Sequence, residues 1–117
     1  MTTSALGLLS TANDGRVGDM MRHVAVFTWK PGTTAEQVQA FAEGLAALPT
    51  DIPEIRAYQF GPDARLAPGN GDFALVADFD DGDAWRAYQD HPIHRRFIEE
   101  RARPIVEARH AVQYRLE

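Results

Sequence analysis

The chain has 117 residues, of which 44% are hydrophobic and 25% charged, a composition that fits one globular domain with a single core. Its net charge of -5 argues against nucleic acid and anionic membranes as general partners. The absence of cysteine excludes disulfides and thiolate metal sites, and it fits a cytoplasmic location. No apolar run approaches the roughly 20 residues needed to span a bilayer.

Residues 1–20 differ in composition from the rest of the chain. They are rich in Thr, Ser, Gly and Asn, and their short apolar patch at 5–9 has no Lys or Arg before it. A secretory signal is therefore not expected. We predict a poorly ordered extension over residues 1–20 and a folded domain over residues 21–117.

Three strands and one helix are predicted in the first part of that domain. Residues 21–30 are apolar at almost every position, as in a strand covered on both faces. Threonines then open a helix whose apolar residues recur at helical spacing until Pro49 stops it. Residues 55–60 and 73–79 have the patterns of strands, and the Gly- and Pro-rich segment between them is a loop.

The second part of the domain is predicted to hold a broken helix and a last strand. The acidic run at 80–83 suits a helix N-terminus, where backbone N–H groups are unpaired. Pro92 has no N–H, so the helix should stop near Gln89 or Asp90 and a new helical turn should begin at the proline. Residues 107–116 alternate as a fourth strand does.

The element order β-α-β-β-α-β predicts an α+β, ferredoxin-like fold with a four-stranded antiparallel sheet and both helices on one face. The first and third strands are apolar on both sides, so the uncovered face would be a large apolar patch. That face would hold Phe27, Trp29, Phe73 and Leu75, or the opposite set. We predict a homodimer that pairs these faces into a dimeric α/β barrel, with a pocket between the sheet and the second helix.

The segment around the predicted helix break holds Tyr88, His91 and His94. One interpretation is a helix junction in which Pro92 and Phe97 only fix the packing. The other is a polar corner at the mouth of the pocket, where Tyr88 and His94 move protons.

Several short segments of the chain occur in an order that is characteristic of a known domain family. They are HVAVFTWK at 23–30, LAALP at 45–49, IPEI at 52–55, FG at 60–61, ADFDD at 77–81 and HPIHRRF at 91–97, with Tyr88 before the last. Across residues 21–116 the chain resembles the stress-responsive A/B barrel (Dabb) domain. The resemblance implies a ferredoxin-like fold and a dimeric barrel, in a family most of whose members have no assigned reaction.

A few plant members of that family are enzymes, notably a polyketide cyclase that closes a poly-β-keto chain by aldol condensation without a cofactor. The resemblance places its proposed Tyr–His pair at Tyr88 and His94, and another pocket histidine at His23. In such a closure His94 would be the base, and the Tyr88 hydroxyl would steady the enolate oxygen. Phe73 stands where a histidine is usual on the third strand, and Leu45 stands where the cyclase has a pocket tyrosine, so the resemblance implies a more apolar pocket with fewer hydrogen-bond donors.

The histidines also have structural interpretations. His23, on an apolar strand face, is more simply a hydrogen-bonded core residue, and His91 before proline is more simply a cap. His110 on the last strand is most simply exposed or at a dimer edge. The arginines between residues 95 and 103 are expected to be solvated and paired with nearby glutamates.

We predict a small dimeric protein that binds a small apolar ligand without a cofactor; the alternative is a cofactor-independent cyclase or lyase using Tyr88 and His94. A haem- or quinone-handling role lacks any axial-ligand context. A metal site at His91 and His94 lacks a third ligand at fixed spacing, with Asp90 and Glu99 as the candidates. The residues expected to line the pocket are His23, Phe27, Trp29, Leu45, Phe73 and His91.

Overall fold

A computed structural model describes residues 16–116, and the predicted extension over residues 1–20 falls largely outside this range. Within it, every helix is too short or too polar to cross a bilayer. The elements are, in chain order, a 3₁₀ turn (Arg16–Asp19), β1 (Met21–Trp29), α1 (Ala35–Asp51), β2 (Ala57–Pro62), β3 (Phe73–Phe79), α2 (Gly82–Asp90), α3 (Pro92–Phe97), a π-helical turn (Ile98–Ala102) and β4 (Val106–Arg115).

The strands form one antiparallel sheet in the order β2-β3-β1-β4. The prediction of a ferredoxin-like α+β fold is therefore confirmed. The register sets His23 of β1 opposite Ala77 of β3 on one side and Gln113 of β4 on the other. Because successive strand residues point to opposite faces, this register fixes which side chains of all strands share a face.

The helices cover one face of the sheet, and Phe41 of α1 lies fully buried at the centre of that core. Its ring centroid is 5.2 Å from those of Phe27, Phe73 and Phe97. Gly44, on the next turn of α1, allows this approach, because a Cβ there would lie 2.7 Å from the Phe97 ring. Each large side chain buried here contributes about 1.5–3 kcal/mol relative to exposure.

Within residues 16–116, no element covers the opposite face of the sheet. The sequence left two sets of residues for this face, and the structure buries Phe27, Phe73 and Leu75 under the helices. The uncovered face therefore carries the opposite set, which we call the valine face. It comprises Val24, Val26, Val76, Val112 and Tyr114.

Helix α1 passes through Pro49 and ends at Asp51, so the prediction that Pro49 stops it is wrong. Proline has no N–H to donate to the carbonyl four residues before it, but only two helical residues follow Pro49, so little of the helix lies beyond the lost hydrogen bond. The helix is closed instead by the Ile52 N–H, which donates to the Leu48 carbonyl at 3.0 Å.

Strand β2 spans Ala57–Pro62 and not residues 55–60, so its predicted bounds are wrong by two residues. The register places Pro62 opposite Phe73 of β3. Because β2 is an edge strand, a proline without an N–H is tolerated at its end. The predicted bounds of β3 are confirmed, and those of β1 and β4 differ by one residue at the ends.

Candidate functional site

The break between α2 and α3 positions both candidate side chains. Pro92 cannot donate to the Tyr88 carbonyl, so the His91 N–H bonds to that carbonyl at 3.2 Å and α2 ends. His91 is extended, and its Nδ1 accepts from the Ile93 N–H at 3.1 Å as the N-cap of α3. The predicted stop near Gln89 or Asp90 and the restart at the proline are confirmed, since α2 ends at Asp90 and α3 begins at Pro92.

The same break supplies a hydrogen-bond acceptor for His94. In an unbroken helix the Gln89 carbonyl would accept from the Ile93 N–H, but His91 holds that N–H. The Nδ1 of His94 lies 3.3 Å from the Gln89 carbonyl oxygen. Because a carbonyl can only accept, Nδ1 carries the ring proton and Nε2 of the neutral ring keeps its lone pair. His94 is therefore oriented as a proton acceptor.

Tyr88 lies on α2, is 1% exposed, and has its ring centroid 4.3 Å from that of His94. Its hydroxyl is hydrogen-bonded at 2.8 Å to the hydroxyl of Tyr58 on β2. Burial raises the pKa of Tyr88 to about 12 and also raises the pKa of Tyr58, so both phenols are protonated at neutral pH. Within residues 16–116, Tyr88 and His94 are in ring contact but share no hydrogen bond.

His23 is the second buried histidine of the site, with 2% exposure on β1. Gln113 of β4 donates to its Nδ1 at 2.8 Å, so the neutral ring carries its proton on Nε2. Burial, with the charge of Arg109, lowers the pKa of His23 to about 4, and burial also lowers the pKa of His94. Both rings are therefore neutral at pH 7. His23 has a free N–H donor at Nε2, and His94 has a free acceptor at Nε2.

A cavity of about 580 Å³ lies between the sheet and the helices, within the usual size range of small-molecule sites. Of the predicted site residues, the structure brings His23, Phe27, Leu45, Tyr88 and His94 to its wall. Its other apolar wall residues are Ala25, Leu75, Phe97 and Ile98.

Trp29, Phe73 and His91 lie outside this cavity, in contrast to the sequence prediction. Trp29 and Phe73 pack against Phe41, with ring centroids 5.0 and 5.2 Å away, and so belong to the aromatic core around that residue. His91 faces back onto the N-terminus of α3 as its cap.

The candidate third ligands of the metal alternative are engaged elsewhere. His91 and His94 each hold Nδ1 in a hydrogen bond, which leaves only Nε2 of each ring for a metal. Asp90 and Glu99 each pair with an arginine. Among the residues that the structure describes, no three His, Asp or Glu side chains come together as a metal site.

The sequence prediction missed several residues of the site, among them three polar ones that act on its titratable rings, namely Tyr58, Arg109 and Gln113. The alternating pattern of their strands was visible in the sequence, but it does not say which strand is adjacent to which. Only the register places Arg109 opposite Phe27 and Gln113 opposite His23. The one available signal for Tyr58 was that a buried Tyr88 would need a hydrogen-bond partner for its hydroxyl.

The family model of the stress responsive A/B barrel domain matches residues 21–116. The chain belongs to the Dabb family. The resemblance noted from the sequence is thereby confirmed, and with it the family-level expectation for the fold.

Three solved structures are similar to this Dabb chain. A dimeric ferredoxin-like protein of unknown function from Thermobifida fusca is 46% identical over 85% of this chain and 92% of that chain, with a TM-score of 0.78. A Dabb family protein from Mesorhizobium loti is 26% identical over 81% and 94%, with a TM-score of 0.70. The hydroxynitrile lyase from Passiflora edulis is 18% identical over 86% and 95%, with a TM-score of 0.75, a likeness of fold alone.

The buried neutral His23 predicts how stability depends on pH. Its folded-state pKa of about 4 lies below the ordinary value of 6.5, so the unfolded chain binds more protons between these values. The stabilisation is complete above pH 6.5 and is lost as the pH falls towards 4, by roughly 3 kcal/mol in all. We expect His23→Gln to remove most of this loss, as measured by urea unfolding near pH 7 and pH 4.5. Equal losses in the two proteins would contradict the assignment.

Proposed function

We propose that this Dabb protein binds a small, mostly apolar molecule in the cavity between its sheet and helices. The observation that supports the proposal is the composition of the cavity, which combines hydrocarbon walls with the uncharged imidazoles of His23 and His94. Small-molecule sites usually have this composition, with apolar walls and a few polar atoms that orient the ligand.

A simple amphipathic probe tests ligand binding. We expect decan-1-ol to bind by isothermal titration calorimetry and to raise the melting temperature, because a ligand that favours the folded state stabilises it. Ile98→Trp places a bulky indole ring at a half-buried position of the cavity wall. Because the ring would fill part of the cavity, we expect the variant to bind the probe at least about tenfold more weakly. Ala47→Trp adds the same ring at an exposed position of α1 and is the control. Equal binding by both variants would contradict the location.

A second candidate function is cofactor-independent proton transfer next to a carbonyl, of the cyclase or lyase type. The observation that favours it is the orientation of His94, whose Nδ1 is held by the Gln89 carbonyl and whose Nε2 keeps a lone pair. His94 would remove the proton, and the Tyr88 hydroxyl, backed by Tyr58, would steady the enolate oxygen. The hydroxynitrile lyase neighbour contributes only the fold to this argument.

Deuterium exchange tests the proposed base without knowledge of the substrate. We expect the protein to accelerate exchange next to the carbonyl of decan-2-one in D₂O, followed by proton NMR. His94→Asn can keep the bond to the Gln89 carbonyl but loses the Nε2 base, so exchange should fall by roughly 10²-fold or more. His91→Asn keeps a good N-cap outside the cavity and is the control. An active His94→Asn protein would exclude His94 as the base.

We further propose that the valine face is covered by a second copy of the chain, in a cytoplasmic homodimer. Val112 and Tyr114 are 55% and 46% exposed in the single chain, which leaves a contiguous apolar surface in water. The Arg22–Asp78 ion pair on this face, at 2.8 Å, is already neutralised before any interface forms. The Thermobifida fusca relative is described as dimeric, which agrees with this proposal.

A charge on the valine face should break the dimer. We expect Val112→Lys to raise the dimer dissociation constant by roughly 10²-fold or more, because an unpaired ammonium group would be buried in the interface. Ala47→Lys adds the same charge at an exposed position of α1 and should leave the assembly unchanged. Sedimentation velocity over a concentration series measures both. A dimeric Val112→Lys protein would place the interface elsewhere.

A further inference from the structure

Arg109 is the one arginine at the mouth of the cavity that has no carboxylate partner among the described residues. The two other arginines there are paired, Arg95 with Asp90 at 3.3 Å and Arg103 with Glu99 at 2.8 Å. A guanidinium is always charged and carries only donors, so an unpartnered one beside an apolar wall is a site that an anion can complete.

The position of Arg109 connects solvent with the buried end of the cavity. Its strand register sets it opposite Phe27, on the face of the sheet that carries His23. The residue is exposed, yet it also lines the cavity. Its charge lowers the pKa of His23, His94 and Tyr88, so the guanidinium lies within electrostatic reach of every titratable ring in the wall.

We infer that Arg109 binds the carboxylate of the cavity's ligand, and that the ligand is an amphipathic monocarboxylic acid whose apolar body lies against the hydrocarbon walls. This inference rests on the proposed function, that the cavity binds a mostly apolar molecule. A guanidinium presents two parallel N–H donors that match the two oxygens of a carboxylate.

The charge balance at the mouth favours a single negative charge. Arg95 and Arg103 are already paired with carboxylates, so Arg109 carries the one positive charge there that a ligand could compensate. A phosphate or diphosphate carries more negative charge than one arginine can balance. A monocarboxylate needs no further cation.

The same arrangement orients the ligand. A carboxylate at Arg109 stays at the exposed end of the cavity, which avoids burying a charge in an apolar environment. The apolar body then begins beside Phe27, which lies opposite Arg109, and extends along the cavity wall towards the neutral rings of His23 and His94. An acid with a carbonyl group along its body would bring that group to these imidazoles.

Matched probes with and without the charge test this inference. Decanoate and decan-1-ol have the same chain, and near pH 7.5 the acid is ionised. We expect the wild-type protein to bind decanoate at least about tenfold more tightly than decan-1-ol in calorimetric titrations. Arg109→Gln should lower decanoate affinity to that of the alcohol and leave the alcohol affinity unchanged. Arg115→Gln removes the same charge from the same strand, outside the cavity, and should behave as wild type.

The possible outcomes distinguish the role of Arg109 from the proposed binding of an apolar ligand in the cavity. Unchanged decanoate affinity in Arg109→Gln, or equal affinity of the wild-type protein for acid and alcohol, would overturn the role of Arg109 while the apolar site stands. Equal weakening of both probes in Arg109→Gln would show a structural effect and would also overturn it. Failure of the wild-type protein to bind either probe would overturn the inference and the proposed function together.

Discussion

The missing N–H of Pro92 determines the geometry of the candidate site. Without that donor α2 ends, His91 turns back to hold the N–H of Ile93, and the Gln89 carbonyl loses its helical partner. That carbonyl then accepts from Nδ1 of His94 and fixes which ring nitrogen carries the proton. The orientation of the proposed base is thus set by local backbone chemistry within six residues. It does not depend on a distant carboxylate, which would raise the pKa of the ring and turn an acceptor into a cation.

The electrostatics of the cavity follow from this uncharged interior. Burial keeps His23 and His94 neutral and keeps Tyr88 protonated, so the buried wall offers hydrogen bonds but no net charge. The charges stand at the mouth, where Arg109 is exposed to water. The positive charge of Arg109 lowers the pKa of both imidazoles and so helps to keep them neutral. An anion bound at Arg109 would offset this effect and ease protonation of His94 during a proton transfer.

The fold and the helix break were predictable because they depend on local signals. Element order, the apolar strands and a proline after an amphipathic helix are all visible along the chain, and residues 73–79 were assigned as a strand without error. The site was predictable only in part. Tyr88 and His94 belong to one helical segment, whereas Tyr58 and Arg109 lie on two strands that are distant in the sequence. Their approach depends on the sheet register, and no local pattern encodes it. The prediction at Pro49 was wrong because the helix continues for only two residues after the proline, so the missing N–H disturbs no further helical turn.

Strand β1 links the two proposed properties of the protein while keeping them apart. Its residues alternate between the cavity side, with His23 and Phe27, and the valine face, with Val24 and Val26. The proposed ligand site is therefore complete within one chain, and the proposed dimer covers the other side of the same sheet. The β1–β4 pairing within one chain sets the register that brings Arg109 to the cavity, so the residues that would recognise the ligand are positioned by the sheet itself. The proposed interface and the proposed ligand site therefore depend on alternate residues of the same strand.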